Sequence, residues 1–209
     1  MIKKKKKDIN EEEEEEGKEK DVKQFNFYEE LSPLLLAQQL ALIVHQFMLQ
    51  VNDNELLYKA WTRPNKNTIA PHVRRLINHT NQLHSLICTI LISEDNLEKR
   101  AKLFAYFIDV ADNAFHHIHD FDTLVTIMSV FDSVSVHRLK DTWRKIGTKH
   151  EEKFLMLRKL TSQFNDMTSL RLQHNKIYKT KTTYVPYFGL WIKDLFKLED
   201  AYNDYIMMN

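Results

Sequence analysis

Apolar residues recur at spacings of three and four along most of this chain. Leu36, Leu40, Val44, Phe47 and Val51 share one helix face, and Ser32 and Pro33 supply an N-cap and first helical residue. Asn52, Asp53 and Asn54 break that pattern. A short helix is expected near Glu55–Trp61, then a polar loop at Arg63–Asn67 around Pro64. Pro71 opens a helix carrying Val73, Leu76, Ile77, Leu83, Ile87 and Leu91, which ends at Ser93–Asn96. Leu103, Phe107, Val110, Ala114 and Ile118 predict a long helix. Leu124, Ile127, Met128 and Phe131 predict another near Asp122–Phe131. Arg138–Ile146 reads as a short amphipathic helix. Phe154, Leu157, Leu160, Phe164 and Met167 mark one more, and Lys179–Thr183 reads as a basic loop.

Pro186 then starts a last helix. At about 100° per residue, Phe188, Trp191, Leu195 and Leu198 fall within one arc, the expected core face. Phe196 lies about 140° from Trp191, and Asp200 about 40° beyond Phe196. A large aromatic and a carboxylate therefore share a flank away from that face. Two readings fit such a flank: packing against another element, or a tool aimed at a partner.

Composition narrows the classes. Of 209 residues, 43% are hydrophobic, which suits one globular domain with a sizeable core. Only three glycines and four prolines occur, too few for the turns of a barrel or sandwich, so an all-α fold is expected. The glycines are scattered, and a phosphate-cradling loop needs them clustered. Thirty basic and 29 acidic residues leave a net charge of +1, with no footprint for nucleic acid. No apolar run reaches membrane-spanning length. Residues 1–24 are low complexity, with a Lys3–Lys7 block followed by Glu11–Glu16; they read as a solvated, disordered tail before a helical domain at 25–209.

Candidate covalent or metal chemistry is sparse. His116, His117 and His119 beside Asp120 and Asp122 are ligand types, but their spacing fits no metal motif, and a polar interhelix loop is the expected reading. No metal or cofactor is expected. Cys88, the single cysteine, sits on an apolar stripe with Ile87 and reads as a buried, inert thiol that suits an intracellular, reducing setting.

Segments in order resemble the catalytic domain of Ras-type guanine nucleotide exchange factors, the Son-of-sevenless kind. They are LLLAQQLALIVHQFMLQV (34–51), ELLYKAW (55–61), APHVRRLINHTNQL (70–83), NLEKRAKLFAYFIDVADN (96–113), FDTLVTIMSVFDSVSVHRLKDTW (121–143) and VPYFGLWIKDLF (185–196). The resemblance implies an all-helical domain that binds a Ras-like small GTPase and ejects its nucleotide, cytoplasmic and near membranes only through that GTPase. It implies that a helical hairpin wedges open the first switch, with Phe196 at the Mg²⁺ place and Asp200 at the phosphates; Tyr187 and Lys197 lie near the same surface. Trp61, Ile77 and Val125 match positions that contact the second switch, and Asn81 and Arg138 match positions that brace the scaffold.

The chain also departs from the family. Asp132 replaces a usual Asn and adds charge near the supposed partner surface. HIHDFD (117–122) stands where asparagines are usual. Residues 201–209 are too few for the hairpin's second helix and the later helices. The expectation is therefore a domain incomplete at this end, with Phe196 exposed and no return helix beside it. The alternative to an exchange factor is an impaired GTPase-binding module or a truncated product; an unrelated helical scaffold is a third reading.

Overall fold

The computed structural model describes residues 27–163 and 166–206. The tail expected at 1–24, Phe164, and the last three residues lie outside them. The chain divides into Met1–Glu30 and Leu31–Asn209. Of the first unit, helix α1 (Phe27–Glu30) is described.

The second unit is all-α. It contains α2 (Pro33–Met48), α3 (Asp53–Leu56), a 3₁₀ turn (Ala60–Thr62), α4 (Lys66–Ile69), α5 (Pro71–Ser93), α6 (Leu97–Asn113), a π-turn (Ala114–Ile118), α7 (Phe121–Asp132), α8 (Val134–His137), α9 (Lys140–Lys145), α10 (Thr148–Leu160), α11 (Thr168–Lys179) and α12 (Phe188–Ile206). Ser32 caps α2 as its sequence predicts, its hydroxyl accepting from the Leu35 N–H at 3.2 Å. α5 begins at Pro71 with no side-chain cap of its own. Glu55 supplies the cap from α3: its buried carboxylate accepts from the His72 and Val73 N–H groups at 2.8 and 3.0 Å.

α7 is buried along nearly its whole length and forms the centre of the body. α5 and α6 pack on it, α2 lies along α6, and α9 and α10 cover α6 further along. Phe131 of α7 meets Phe104, Trp143 and Phe154 edge-on, with centroids 5.5, 5.5 and 5.6 Å away. That aromatic cluster joins α6, α7, α9 and α10.

Several boundaries differ from the sequence reading. The helix expected near Glu55–Trp61 ends at Leu56, because Tyr58 and Lys59 take positive φ, and only a 3₁₀ turn follows; Lys66 and Asn67, expected in a loop, begin α4. The long helix does not run on to Ile118 as regular α-helix: it ends at Asn113, widens into the π-turn, and His119 takes a left-handed φ of 58°. α10 stops at Leu160, and Met167 is buried at the head of α11 with φ of 58°. α11 itself was not anticipated. Its inward residues are Leu170, the buried His174 and the half-buried Ile177, and a histidine in the middle of that stripe interrupts the apolar period.

Phe131→Ala should cost about 3–5 kcal/mol, from lost burial and an uncollapsed cavity. Urea unfolding should show a lower midpoint at unchanged slope.

Candidate functional site

The candidate site is built around the start of α12. Asp120 caps α7, its Oδ1 accepting from the Asp122 and Thr123 N–H groups, each at 3.0 Å. The same turn binds the segment ahead of α12. The Val185 N–H donates to the His119 carbonyl at 3.0 Å, and the Phe121 N–H donates to the Val185 carbonyl at 2.9 Å, a single parallel bridge. The buried Asp122 Oδ1 then accepts the Phe188 N–H at 3.1 Å. Phe188 is the first residue of α12, so the carboxylate takes an amide that the helix itself leaves unpaired and sits at the helix's positive end.

Asp120 and Asp122 are therefore not parts of a polar surface loop. His116 and His117 are exposed, and His116 Nδ1 lies 2.9 Å from Asp112, but both aspartates are buried and engaged with backbone N–H groups. Among the described residues, no group of three His, Cys, Asp or Glu side chains is placed to hold a metal ion. Burial pushes Asp122 up to about 7, helped by the Asp120 charge, against the hydrogen bonds from Phe188 and Thr80. Burial likewise pushes Asp120 up to about 6. Cys88 is half-buried rather than buried, with Sγ 3.6 Å from Ser133 Oγ.

Tyr187 folds back over the first turn of α12. A Cβ at Gly189 would stand 2.5 Å from the Tyr187 ring, so only glycine admits that packing. The Tyr187 N–H points at His174 Nε2, 3.5 Å away. Burial and then the Arg171 charge lower His174 to about 4, so it stays neutral and keeps that acceptor. A second clamp grips the middle of α12. Arg171 pairs both guanidinium nitrogens with the Asp194 carboxylate at 2.7 Å. Asp166 meets Arg171 at 2.9 Å, Lys193 at 2.7 Å and Lys197 at 3.1 Å; the two lysines above all hold its carboxyl well below the usual range.

Beyond the clamp, α12 is less covered by the body. Phe188 and Leu190 are buried on opposite sides of its first turn, and Ile192 and Leu195 continue the Phe188 side half-buried. Trp191 and Leu198, expected on the core face, are 46% and 53% exposed. The stripe has a body to lean on only over its first turns, and its contact is centred nearer Ile192 than Trp191. Phe196 follows Ile192 by about 40° on the wheel, so it borders the buried arc and remains 40% exposed. Asp200 is exposed on the same flank. The helix continues through residues 201–206 without turning back.

The sequence-predicted residues gather in several places. Ile77, Asn81 and Tyr187 line one cleft of about 170 Å³ with Asp122, Gly189 and Ile192. Asn81 is exposed at its edge rather than packed inside the body. Val125 and Asp132 line another, of about 210 Å³, where Asp132 meets Arg158 at 3.1 Å. Trp61 is only 5% exposed and belongs to a core cluster with Val44, Val73 and Phe188. Lys197 is tied to Asp166, and Arg138 is exposed at the end of α8. Phe196 and Asp200 meet one common group that sequence reasoning missed. Lys59 Nζ stands 4.2 Å from the centre of the Phe196 ring and pairs with Asp200 Oδ1. Nothing in the chain's local pattern marks Lys59, and the contact spans 141 positions.

Residues 35–209 match the family model described as the RasGEF domain. The chain is 27% identical over 187 residues to "Ras guanine nucleotide exchange factor G" of Dictyostelium discoideum, which covers 86% of this chain and 11% of that protein. It is 30% identical over 176 residues to "Ras guanine nucleotide exchange factor M" of the same organism, covering 83% and 18%. Against "Ras-specific guanine nucleotide-releasing factor 1" of Rattus norvegicus the identity is 26% over 178 residues, covering 85% and 14%. The chain thus spans less than a fifth of the length of these relatives.

The raised Asp122 carboxyl has a sign that can be checked. The folded chain holds that proton more tightly than the unfolded chain, so the group's contribution to stability is largest at low pH and is lost as pH rises through about 7. His174 acts oppositely, its contribution falling as pH drops from its ordinary value toward about 4. Comparing Asp122→Asn with the parent isolates the carboxylate. The variant should be more stable by on the order of 1–3 kcal/mol at high pH, and the difference should shrink as pH falls from about 7 toward about 4. Parallel stability curves from denaturant titrations across pH would contradict the assignment.

Proposed function

Because the chain belongs to the RasGEF domain family, we propose that it is a guanine nucleotide exchange factor for a Ras-like small GTPase. In this reading α12 is the wedge, and its Phe196/Asp200 flank enters the nucleotide site. The observation that carries it is the joint exposure of those two side chains on a helix whose base is fixed by Asp122 and whose middle is fixed by Arg171 and Asp166.

The chemistry is displacement, with no covalent bond made or broken. Mg²⁺ demands near-octahedral oxygen ligands, and an aromatic ring offers none. A carboxylate beside the phosphates repels them and competes for their cationic and N–H donors. Coupling is reciprocal: nucleotide weakens the factor's grip as much as the factor weakens the nucleotide's. The Ile77/Asn81/Tyr187 cleft and the Val125/Asp132 cleft suit the GTPase's second switch, with Trp61 supporting that surface from beneath. Lys197 and Tyr187 hold the wedge, and Arg138 braces the scaffold. Among the described residues, no helix is long and apolar enough to cross a membrane; we place the protein in the cytoplasm, brought to membranes through its GTPase.

A second reading is a module that docks the GTPase without ejecting nucleotide. The engagement of both Phe196 and Asp200 by Lys59 favours it.

Release of a fluorescent GDP analogue from a panel of Ras-family GTPases separates the two. The exchange reading expects acceleration for at least one member, and Asp200→Lys or Phe196→Ala should reduce it about tenfold or more, equal to about 1.4 kcal/mol of barrier. Binding to nucleotide-free GTPase without any acceleration supports the docking module instead.

A further inference from the structure

Lys59 is held where its aim is fixed. Tyr58 and Lys59 both take left-handed backbone angles, with φ of 53° and 52°. The Lys59 carbonyl accepts from the Thr62 N–H at 2.9 Å and the Thr62 hydroxyl at 2.8 Å, and Arg63 Nε donates to the Tyr58 carbonyl at 3.0 Å. Two adjacent non-glycine residues at positive φ are uncommon, and these hydrogen bonds lock the turn. The Lys59 side chain is only 22% exposed, and its ammonium lies between the Phe196 ring and the Asp200 carboxylate. One cation thus occupies both side chains assigned to the nucleotide site, through an ion pair and a cation–π contact.

We propose that Lys59 is an internal brake on exchange: in the free chain it pairs with the Asp200 carboxylate and covers the Phe196 ring, and it must let go before the wedge enters. This rests on the exchange reading above. The carboxylate is suited to draw a phosphate-binding cation away from nucleotide, and in the free chain that capacity is already engaged by Lys59. The aromatic face is likewise covered. A GTPase therefore meets a wedge whose competent state is a fraction of the population, and its apparent affinity falls by that fraction. Both contacts are partly solvent-exposed, so salt weakens the brake.

The test uses the full chain, with Lys59→Met to keep the aliphatic stem and remove the charge, and Lys59→Arg to keep the charge. The probe is a Ras GTPase loaded with a fluorescent GDP analogue, chosen from the panel as one the parent discharges. Lys59→Met should speed release about three- to thirtyfold at low ionic strength, the range expected for losing one partly exposed ion pair and one cation–π contact. The gain should narrow at high salt, and Lys59→Arg should stay near the parent rate. Without GTPase, amide hydrogen exchange over residues 196–202 should quicken in Lys59→Met, while its thermal midpoint stays close to the parent's. Equal or slower release by Lys59→Met, from a chain that remains folded, overturns the brake; slower release makes Lys59 a positioning residue for the wedge. Unchanged amide protection overturns the contact itself. If neither parent nor variant discharges any member of the panel, the exchange reading fails, and the brake falls with it, since freeing the pair released nothing.

Discussion

The structure depends on a carboxylate buried against the first amide of a helix. Asp122 reaches across 66 positions of chain to accept the Phe188 N–H, and Asp120 beside it caps α7 and shapes the turn that grips Val185. An unpaired buried N–H costs about 1–3 kcal/mol, so α12 has one favourable starting point and one direction. Glu55 does the same for α5, taking the His72 and Val73 amides. The two helices that line the candidate cleft are thus both positioned by acids borrowed from elsewhere in the chain.

From that anchor the rest of the site follows. Tyr187 can lie over the first turn because Gly189 leaves room, and Arg171 with Asp166 fixes the middle of α12 against the head of α11. Past Leu195 the helix is less covered: Phe196, Leu198 and Asp200 are exposed, and Lys59 reaches Phe196 and Asp200 from the body. A wedge needs this division: a rigid base that transmits force and a bare end that can enter a partner. Lys59 is the group that covers the bare end in the free chain.

Local pattern carried much of the fold. Ser32–Pro33, Pro71 and the apolar stripes of α6 and α7 announce their helices because capping and periodicity are short-range properties. α11 was hidden because its inward face contains His174, a residue that reads as polar but is neutral and buried here. Asp120 and Asp122 read as loop polars, since burial of a carboxylate depends on distant amides that a local window does not include. Trp191 reads as inward because a helical wheel cannot show that the body meets the stripe nearer Ile192, and Leu198 because a wheel treats a helix as buried along its whole length. The Phe196/Asp200 flank was legible from angular spacing, but Lys59, far away in sequence, was not.

The most direct measurement is an amide hydrogen-exchange footprint of a nucleotide-free Ras-family GTPase on this chain. The account predicts protection over residues 77–81, 125–132 and 187–200, with the α9 and α10 surface unchanged. Protection confined to α9 and α10, with α12 untouched, would contradict it.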